Sequence, residues 1–495
     1  MLLISTRNSA NIIDPLSAVL KGIADDGGLF VPSSFPALSK EAVIGMQDKT
    51  YQEIASDVLG MYFDIDDEKL RQMTRDAYSS FEAEDVVPIT KLNDREYILE
   101  LYHGPTLAFK DVALQMLPRL MSEAIKANNL PYNVMILTAT SGDTGKAALE
   151  GFKNVPRTKI AVFYPEEGVS DMQRLQMITT EGTNTYVAAI RGNFDDAQTA
   201  VKQVFGDAQY NRDIENNGYV LSSANSINFG RLAPQIVYYI YGYVRLMQAG
   251  RLSYGDRMNV CVPTGNFGNI LAAYYAKKMG LPIGKLICAS NQNNVLTDFF
   301  DSGTYFSRRQ FFRTTSPSMD ILISSNLERL VFEELSRDSV KTEALMRELK
   351  EVGSYNVSDS IRMSLSDDFY ADFCDDNRTL DTIRKIYNKY GYVMDTHTAV
   401  GQTVLNGYIS HTDDPNPTLL ASTASPFKFA PDVLKAITGE TTPDAFRACE
   451  RLSALSGLKL PGQIAELRVK NMRFKDVYDK ADIGKAVMNC ADVII

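Results

Sequence analysis

The stretch Asn133-Val-Met-Ile-Leu-Thr-Ala-Thr-Ser-Gly-Asp-Thr-Gly-Lys-Ala-Ala-Leu-Glu-Gly-Phe152 decides the fold class. Residues 133–138 form a short apolar run, the pattern of a strand buried in a parallel sheet. A glycine-bearing turn follows, and residues 146–152 have helical spacing. The same unit recurs on either side. Residues 97–101, 160–164, 186–190, 258–263 and 286–290 read as strands. Helical patterns cover 172–180, 195–205 and 270–279, and 418–422 returns to a buried-strand pattern. Strands alternating with helices predict an α/β fold with mostly parallel sheets. Residues 1–90 read instead as mixed short elements. Among them, Asp14-Pro-Leu-Ser-Ala-Val-Leu-Lys-Gly-Ile23 has the look of a short helix, and the turn signal Asp25-Asp-Gly-Gly28 follows it. They predict a small N-terminal domain. The charged segment 325–390 reads as helical, an insertion or subdomain.

Composition narrows the function. A chain of 495 residues, 45% of them apolar, is too long for one core and implies two or three domains. A net charge of −10 argues against a nucleic-acid binder and requires that any anionic ligand be held by local donors. Five widely spaced cysteines without a CxxC pair read as reduced thiols of a cytoplasmic protein. Three histidines argue against a histidine-based metal centre, so no metal is expected. The start Met1-Leu-Leu-Ile-Ser-Thr-Arg7 is too short an apolar run for a signal peptide, and no stretch has the length of a membrane span.

Five segments carry candidate chemistry. In His103-Gly-Pro-Thr-Leu-Ala-Phe-Lys-Asp111, a helix starting near Ala108 would place Lys110 on one face with Leu114, Leu117 and Met121. Pro118 would kink or end that helix. Lys110 could simply bury its stem and send its amine to water. Equally, burial would lower its pKa, as a Schiff-base lysine needs. The turn 138–147 offers Ser141, Thr144 and loop amides at a helix N-terminus, suited to an anion or to a plain strand-to-helix turn. It is not a P-loop, because Thr140 stands where the first glycine is required and Ala147 follows Lys146. Pro263-Thr-Gly-Asn-Phe-Gly-Asn269 also follows a strand and opens a helix, so its amides could receive a phosphate dianion. It lacks the glycine spacing of a dinucleotide site. The donor-rich Ser222-Ser-Ala-Asn-Ser-Ile-Asn-Phe-Gly-Arg231 reads as a capped helix entry or as recognition of a phosphate or carboxylate through Arg231. Finally, 420–428 is a strand ending in small hydroxyl residues.

Together these blocks resemble threonine synthase, a fold-type II enzyme dependent on pyridoxal 5′-phosphate (PLP). Asp26-Gly-Gly-Leu-Phe-Val-Pro32, 103–111, 138–145, 223–228, 263–269 and Ser422-Thr-Ala-Ser-Pro-Phe-Lys428 stand in that family's order. The length and the charged segment resemble its longer branch, found in fungi and many bacteria. The resemblance implies two open, twisted, mostly parallel sheets flanked by helices, similar to tryptophan synthase β, plus the small N-terminal domain. The implied division is 1–90, a large PLP-binding domain of 91–130 and 216–495 containing the 325–390 helical insertion, and a small α/β domain of 131–215. By the same resemblance Lys110 is the catalytic Schiff-base lysine. Gly265, Asn266, Phe267, Gly268 and Asn269 form the cofactor phosphate loop, and Thr423 faces the pyridine nitrogen. Thr106, Ser141, Thr144, Asn225, Asn228 and Arg231 fall in blocks lining the substrate pocket. The implied reaction converts O-phospho-L-homoserine and water to L-threonine and phosphate, with a phospho-lyase releasing 2-oxobutyrate and ammonia as the alternative. No nucleic-acid or membrane partner is implied, and no oligomeric state. Three positions depart from the family pattern. Ser425 stands where many relatives have histidine. The segment 164–170 lacks a basic residue before Val169-Ser170. Asp143 stands where an asparagine is usual near the cofactor's ring oxygen, a place where a carboxylate would repel it.

Overall fold

A computed structural model describes residues 1–140, 142–166 and 169–492. The opening stretch folds as its pattern requires. Asn133–Ala139 is a strand and Asp143–Phe152 a helix. That strand lies inside a five-stranded sheet ordered Val477–Tyr478, Thr185–Ile190, Thr158–Pro165, Asn133–Ala139, Tyr219–Ser222, every pair parallel. A second sheet has six strands, ordered Phe369–Phe373, Ile283–Ser290, Met258–Pro263, Thr418–Ser422, Glu96–Glu100, Ile89–Lys91. Only its last pair is antiparallel. Helices cover the faces, which is why the central strands are apolar on both sides. Leu3–Ser5, Ile12–Ile13 and Phe30–Pro32 make a small antiparallel N-terminal sheet. The expected α/β architecture with two mostly parallel sheets and a small N-terminal domain is the observed one.

Four details differ from the sequence reading. The segment 325–390 is not purely helical: Ser354–Asn356 pairs with Thr304–Phe306, and Phe369–Phe373 forms the outer edge of the six-stranded sheet. Tyr219–Ser222 belongs to the smaller sheet, and so does the C-terminal Val477–Tyr478. The C-terminal segment returns there because Ile483, Ala486 and Val487 fill an apolar cluster with Ala197, Val201 and Ile214. Finally, the helix starts at Lys110 and runs through Pro118 to Ala127. Proline removes the amide that would bond Leu114 O. Gly151 of the neighbouring helix packs against that carbonyl so closely that a Cβ there would lie 1.9 Å from it. The close approach of a second helix, which only glycine permits, accommodates the interruption.

Parallel pairing has one functional consequence. Met258–Pro263, Thr418–Ser422 and Glu96–Glu100 are neighbours in the six-stranded sheet, so their C-terminal ends share one edge. Ligands of open parallel sheets bind outside that edge. It carries the 264–268 loop, Thr423 and the loop leading to Lys110.

Candidate active site

The loop from Leu101 to Phe109 is bonded along the end of the neighbouring strand. Leu101 N donates to Ser422 O (2.9 Å), Phe109 N to Thr423 O (2.9 Å), and Ser425 N to Leu107 O (3.0 Å). Leu107 adopts a left-handed conformation, φ 61°. Thr106 closes the turn by donating its amide and hydroxyl to Asp111, at 2.8 and 2.6 Å. Lys110 is thus the first residue of its helix, and its side chain is only 12% exposed.

Two groups face its amine. Asp143 Oδ2 lies 3.9 Å from Lys110 Nζ, and the Ser318 hydroxyl 3.4 Å. Lys428 Nζ lies on the far side of the same carboxylate, 2.8 Å from Asp143 Oδ1, and donates to Thr106 O at 2.9 Å. Burial pushes the Lys110 ammonium down to about 8; Asp143 pulls it up, while Lys428 and Arg231 push it further down. Burial by itself would raise the Asp143 carboxyl. The ammonium groups of Lys428 and Lys110 outweigh that and hold it below the usual carboxylate range. The departure at Asp143 therefore has a physical answer. Its carboxylate is already neutralised by Lys428 and further bonded by Gln173 Nε2 at 3.3 Å.

The phosphate-loop segment has donors to spare. Phe267 is left-handed (φ 63°), its ring lying against Phe300 and Phe369, and the helix Gly268–Lys278 starts without a side-chain cap. Tyr238 and Tyr239 both donate to Asn269 Oδ1, which fixes the amide's orientation. Asn269 Nδ2 is then buried without a partner among the described residues. Gly265 lies under the turn Pro317–Met319, and a Cβ there would stand 2.8 Å from Ser318 O. Asn266 is exposed and its carbonyl accepts from Asn326 Nδ2 at 2.9 Å. An uncapped helix start, a glycine and an orphaned amide suit a dianionic phosphate. Lys110 and the buried Thr423 stand at the same sheet edge. The residues present therefore fit PLP.

Arg231 is 4% exposed, and Nη1 donates to Ala224 O at 3.0 Å while Nε has no partner among the described residues. Burial alone brings its guanidinium down to about 10, since no carboxylate offsets it. A buried guanidinium without a counterion is costly, and an anionic ligand removes the cost.

The other residues singled out by sequence divide. Thr144 is half-buried in the first turn of its helix, and Asn225 is exposed within the 222–231 segment. Asn228 is fully committed: Oδ1 caps Gly230 N (2.9 Å), and Nδ2 bonds Val19 O (2.9 Å) and Ser223 O (3.2 Å). Thr106 likewise gives its hydroxyl proton to Asp111. Neither is presented as an open donor. Ser141 lies outside the described residues. Sequence reasoning overlooked Lys428, Ser318 and His397. Lys428 stood inside a quoted block, but nothing local marked it as 3% exposed and paired.

Comparison with known proteins agrees with this geometry. A model described as "Pyridoxal-phosphate dependent enzyme" matches residues 86–423, and one described as "Threonine synthase N terminus" matches residues 3–78. Threonine synthase from Pseudomonas aeruginosa is 36% identical, over 94% of this chain and 97% of that protein. The chain belongs to the threonine synthase family. Within the family, Homo sapiens threonine synthase-like 1 is 42% identical over 85% of this chain, but the match spans only 57% of that longer protein. The structure of PLP-bound threonine synthase from Brucella melitensis superposes with a TM-score of 0.89 at 35% identity, covering 99% of this chain and 100% of that one. Yeast threonine synthase gives the same TM-score, 0.89, at 32% identity, with 99% and 98% covered.

Proposed function

We propose that this enzyme uses PLP to convert O-phospho-L-homoserine and water into L-threonine and phosphate. The observation that carries the reading is the buried, unmatched Arg231 guanidinium near a lysine whose ammonium is brought down to about 8. The first suits a phosphorylated substrate, and the second provides an amine that can exchange protons with carbon. Family membership supports the same choice.

The placement of these residues supports the following roles. Gly265, Asn266, Phe267, Gly268 and Asn269 hold the cofactor phosphate, through the open helix start and Asn269 Nδ2. Thr423, buried at the end of its strand, would offer its hydroxyl to the pyridine nitrogen, a partner that would favour an unprotonated ring. When bound, the cofactor supplies an electron sink for the substrate's α-carbon. Lys110 Nζ takes the α-proton and returns protons along the carbon chain as phosphate leaves the γ-carbon and water adds at the β-carbon. Arg231 receives the substrate's phosphate, with Thr144 and Asn225 at the pocket wall. Thr106 and Asn228 act by shaping the loops that carry Lys110 and Arg231. Asp143, held by Lys428, keeps a fixed negative charge beside the lysine.

Among the described residues no helix is long and apolar enough to cross a membrane, and the five cysteines are buried and free. The free thiols support a reducing, cytoplasmic setting. The test is one absorbance spectrum and one incubation with O-phospho-L-homoserine. A visible cofactor band and threonine are expected, and Lys110→Ala should lose both. Release of 2-oxobutyrate and ammonia instead would mean the lyase; a Lys110→Ala variant that keeps band and turnover would remove the basis of the proposal.

A further inference from the structure

The helix Thr396–Thr412 begins at a buried acidic cap that the reaction outlined above does not use. Asp395 accepts the amides of His397 (2.8 Å) and Thr398 (3.4 Å) and the Thr398 hydroxyl. Its Oδ1 also lies 3.0 Å from His397 Nδ1, and both residues are buried, at 0% and 2% exposure. On the other side of the ring, His397 Nε2 accepts the backbone N–H of Ser318 at 3.1 Å. An amide can only donate, so Nε2 carries the lone pair and the proton sits on Nδ1, facing Asp395. The carboxylate thus fixes both the ring's orientation and its tautomer.

Ser318 sits at the centre of a strap, residues 314–326, that crosses the site. One end is tied by Asn291, which donates to Thr314 at 2.8 Å and to Asp320 at 2.7 Å, and by Thr315, which donates to Asp376 at 3.0 Å. At the other end Ser324 donates to Gly265 O at 2.7 Å. The middle is held through Ser318 N on His397. The Ser318 hydroxyl lies 3.4 Å from Lys110 Nζ and 3.4 Å from Asp143 Oδ2. An ionised carboxylate only accepts, so the hydroxyl proton points to Asp143, and Ser318 Oγ turns its lone pairs to Lys110. Lys110 must then give an N–H to Ser318, which leaves the amine's own lone pair free to accept the substrate's α-proton.

We propose that His397, oriented by Asp395, is a positioning residue for the Lys110 reaction: by accepting the Ser318 amide hydrogen it holds the Ser318 hydroxyl where it turns the lysine's lone pair towards substrate. This rests on the PLP reading above. The experiment compares His397→Gln, His397→Asn and Ser318→Ala in the cofactor-loaded enzyme. A glutamine carbonyl reaches about as far as Nε2 and can accept the Ser318 amide; an asparagine carbonyl reaches only about as far as Nδ1. Misplacement of a reacting group by about 1 Å costs up to roughly 100-fold in rate. His397→Asn should therefore lower kcat by about 10- to 100-fold with KM nearly unchanged, and move the pH midpoint of the cofactor's absorbance change. His397→Gln should restore most of kcat and return the midpoint. Ser318→Ala leaves the clamp intact, so it should reproduce the loss of kcat and the spectral shift with an unchanged thermal midpoint. Equal behaviour of the Gln and Asn variants, or a Ser318→Ala enzyme with wild-type kcat and spectrum, overturns the inference even if His397→Asn folds poorly. A wild-type enzyme without a cofactor band or threonine product is a different failure: it removes the functional reading, and this inference with it.

Discussion

Replacing Lys428 by methionine tests the electrostatics of the site most directly. The change keeps much of the side-chain volume and removes the charge 2.8 Å from Asp143, in a pair whose side chains are 3% and 7% exposed. Removing one member of a buried pair leaves the other uncompensated, at a cost of about 3–5 kcal/mol. The nearest remaining ammonium would be Lys110, 3.9 Å away. Opposite charges about 4 Å apart attract by roughly 4 kcal/mol at an effective dielectric near 20, and one pKa unit corresponds to about 1.4 kcal/mol. Lys428 currently pushes the Lys110 ammonium down and Asp143 pulls it up. Lys428→Met should therefore raise the Lys110 midpoint above about 8, by roughly one unit or more. Asp143→Asn should move it the opposite way. The assay is the pH dependence of PLP uptake by cofactor-free enzyme, followed by absorbance, alongside denaturant titration of each variant. The double variant should be less destabilised than Lys428→Met, because the Asp143 carboxylate is then not left buried without its Lys428 partner. If both single variants shift the midpoint in one direction, or Lys428→Met costs under about 1 kcal/mol, the account of the pair is wrong.

Arg231→Met should raise KM for O-phospho-L-homoserine by roughly 10- to 150-fold, since a charge-assisted contact to phosphate contributes about 1.5–3 kcal/mol. It should not lower the thermal midpoint of the cofactor-free protein, because the guanidinium is buried without a counterion; a marked drop would assign Arg231 a structural role. Gly265→Ala brings a Cβ to 2.8 Å from Ser318 O, and should weaken PLP affinity while equilibrium titration with inorganic phosphate weakens in parallel. Gly151→Ala places a Cβ 1.9 Å from Leu114 O and should destabilise by about 1–3 kcal/mol by denaturant titration, the usual cost of overpacking. For Lys110 itself the native pKa of about 8 lies below the unfolded value near 10.5. The native state thus releases its proton first. Its burial penalty is complete below about pH 8 and is relieved as pH rises to about 10.5, so stability should rise across that window. Lys110→Met should lack the rise, as measured by denaturation of cofactor-free protein at several pH values.

What could be read from the sequence was local. Apolar runs of strand length, helical spacing and glycine turns are set by near neighbours along the chain, and they placed most strands of both sheets before any contact was known. The same holds for the glycine loop before the Gly268 helix and for Lys110 as a lysine on an apolar face. The helix does not end at Pro118, and the close approach of Gly151 that accompanies the interruption belongs to two helices, not to one. The C-terminal strand and helix carry no local mark in the sequence, because their partners lie in the 185–214 region. Charge, too, acquires meaning only through neighbours. Asp143 looked like a repulsive carboxylate until Lys428 stood 2.8 Å away, and Lys428 looked unremarkable until it was buried. The sequence alone placed a glycine loop between the 258–263 strand and a helix, and singled out Lys110 and Arg231. The tertiary structure decided which of those groups are paired, which stay unmatched, and that His397 and Ser318 join them. The reason is that burial and Coulomb interactions depend on distances in space, and spacing along the chain does not encode those distances.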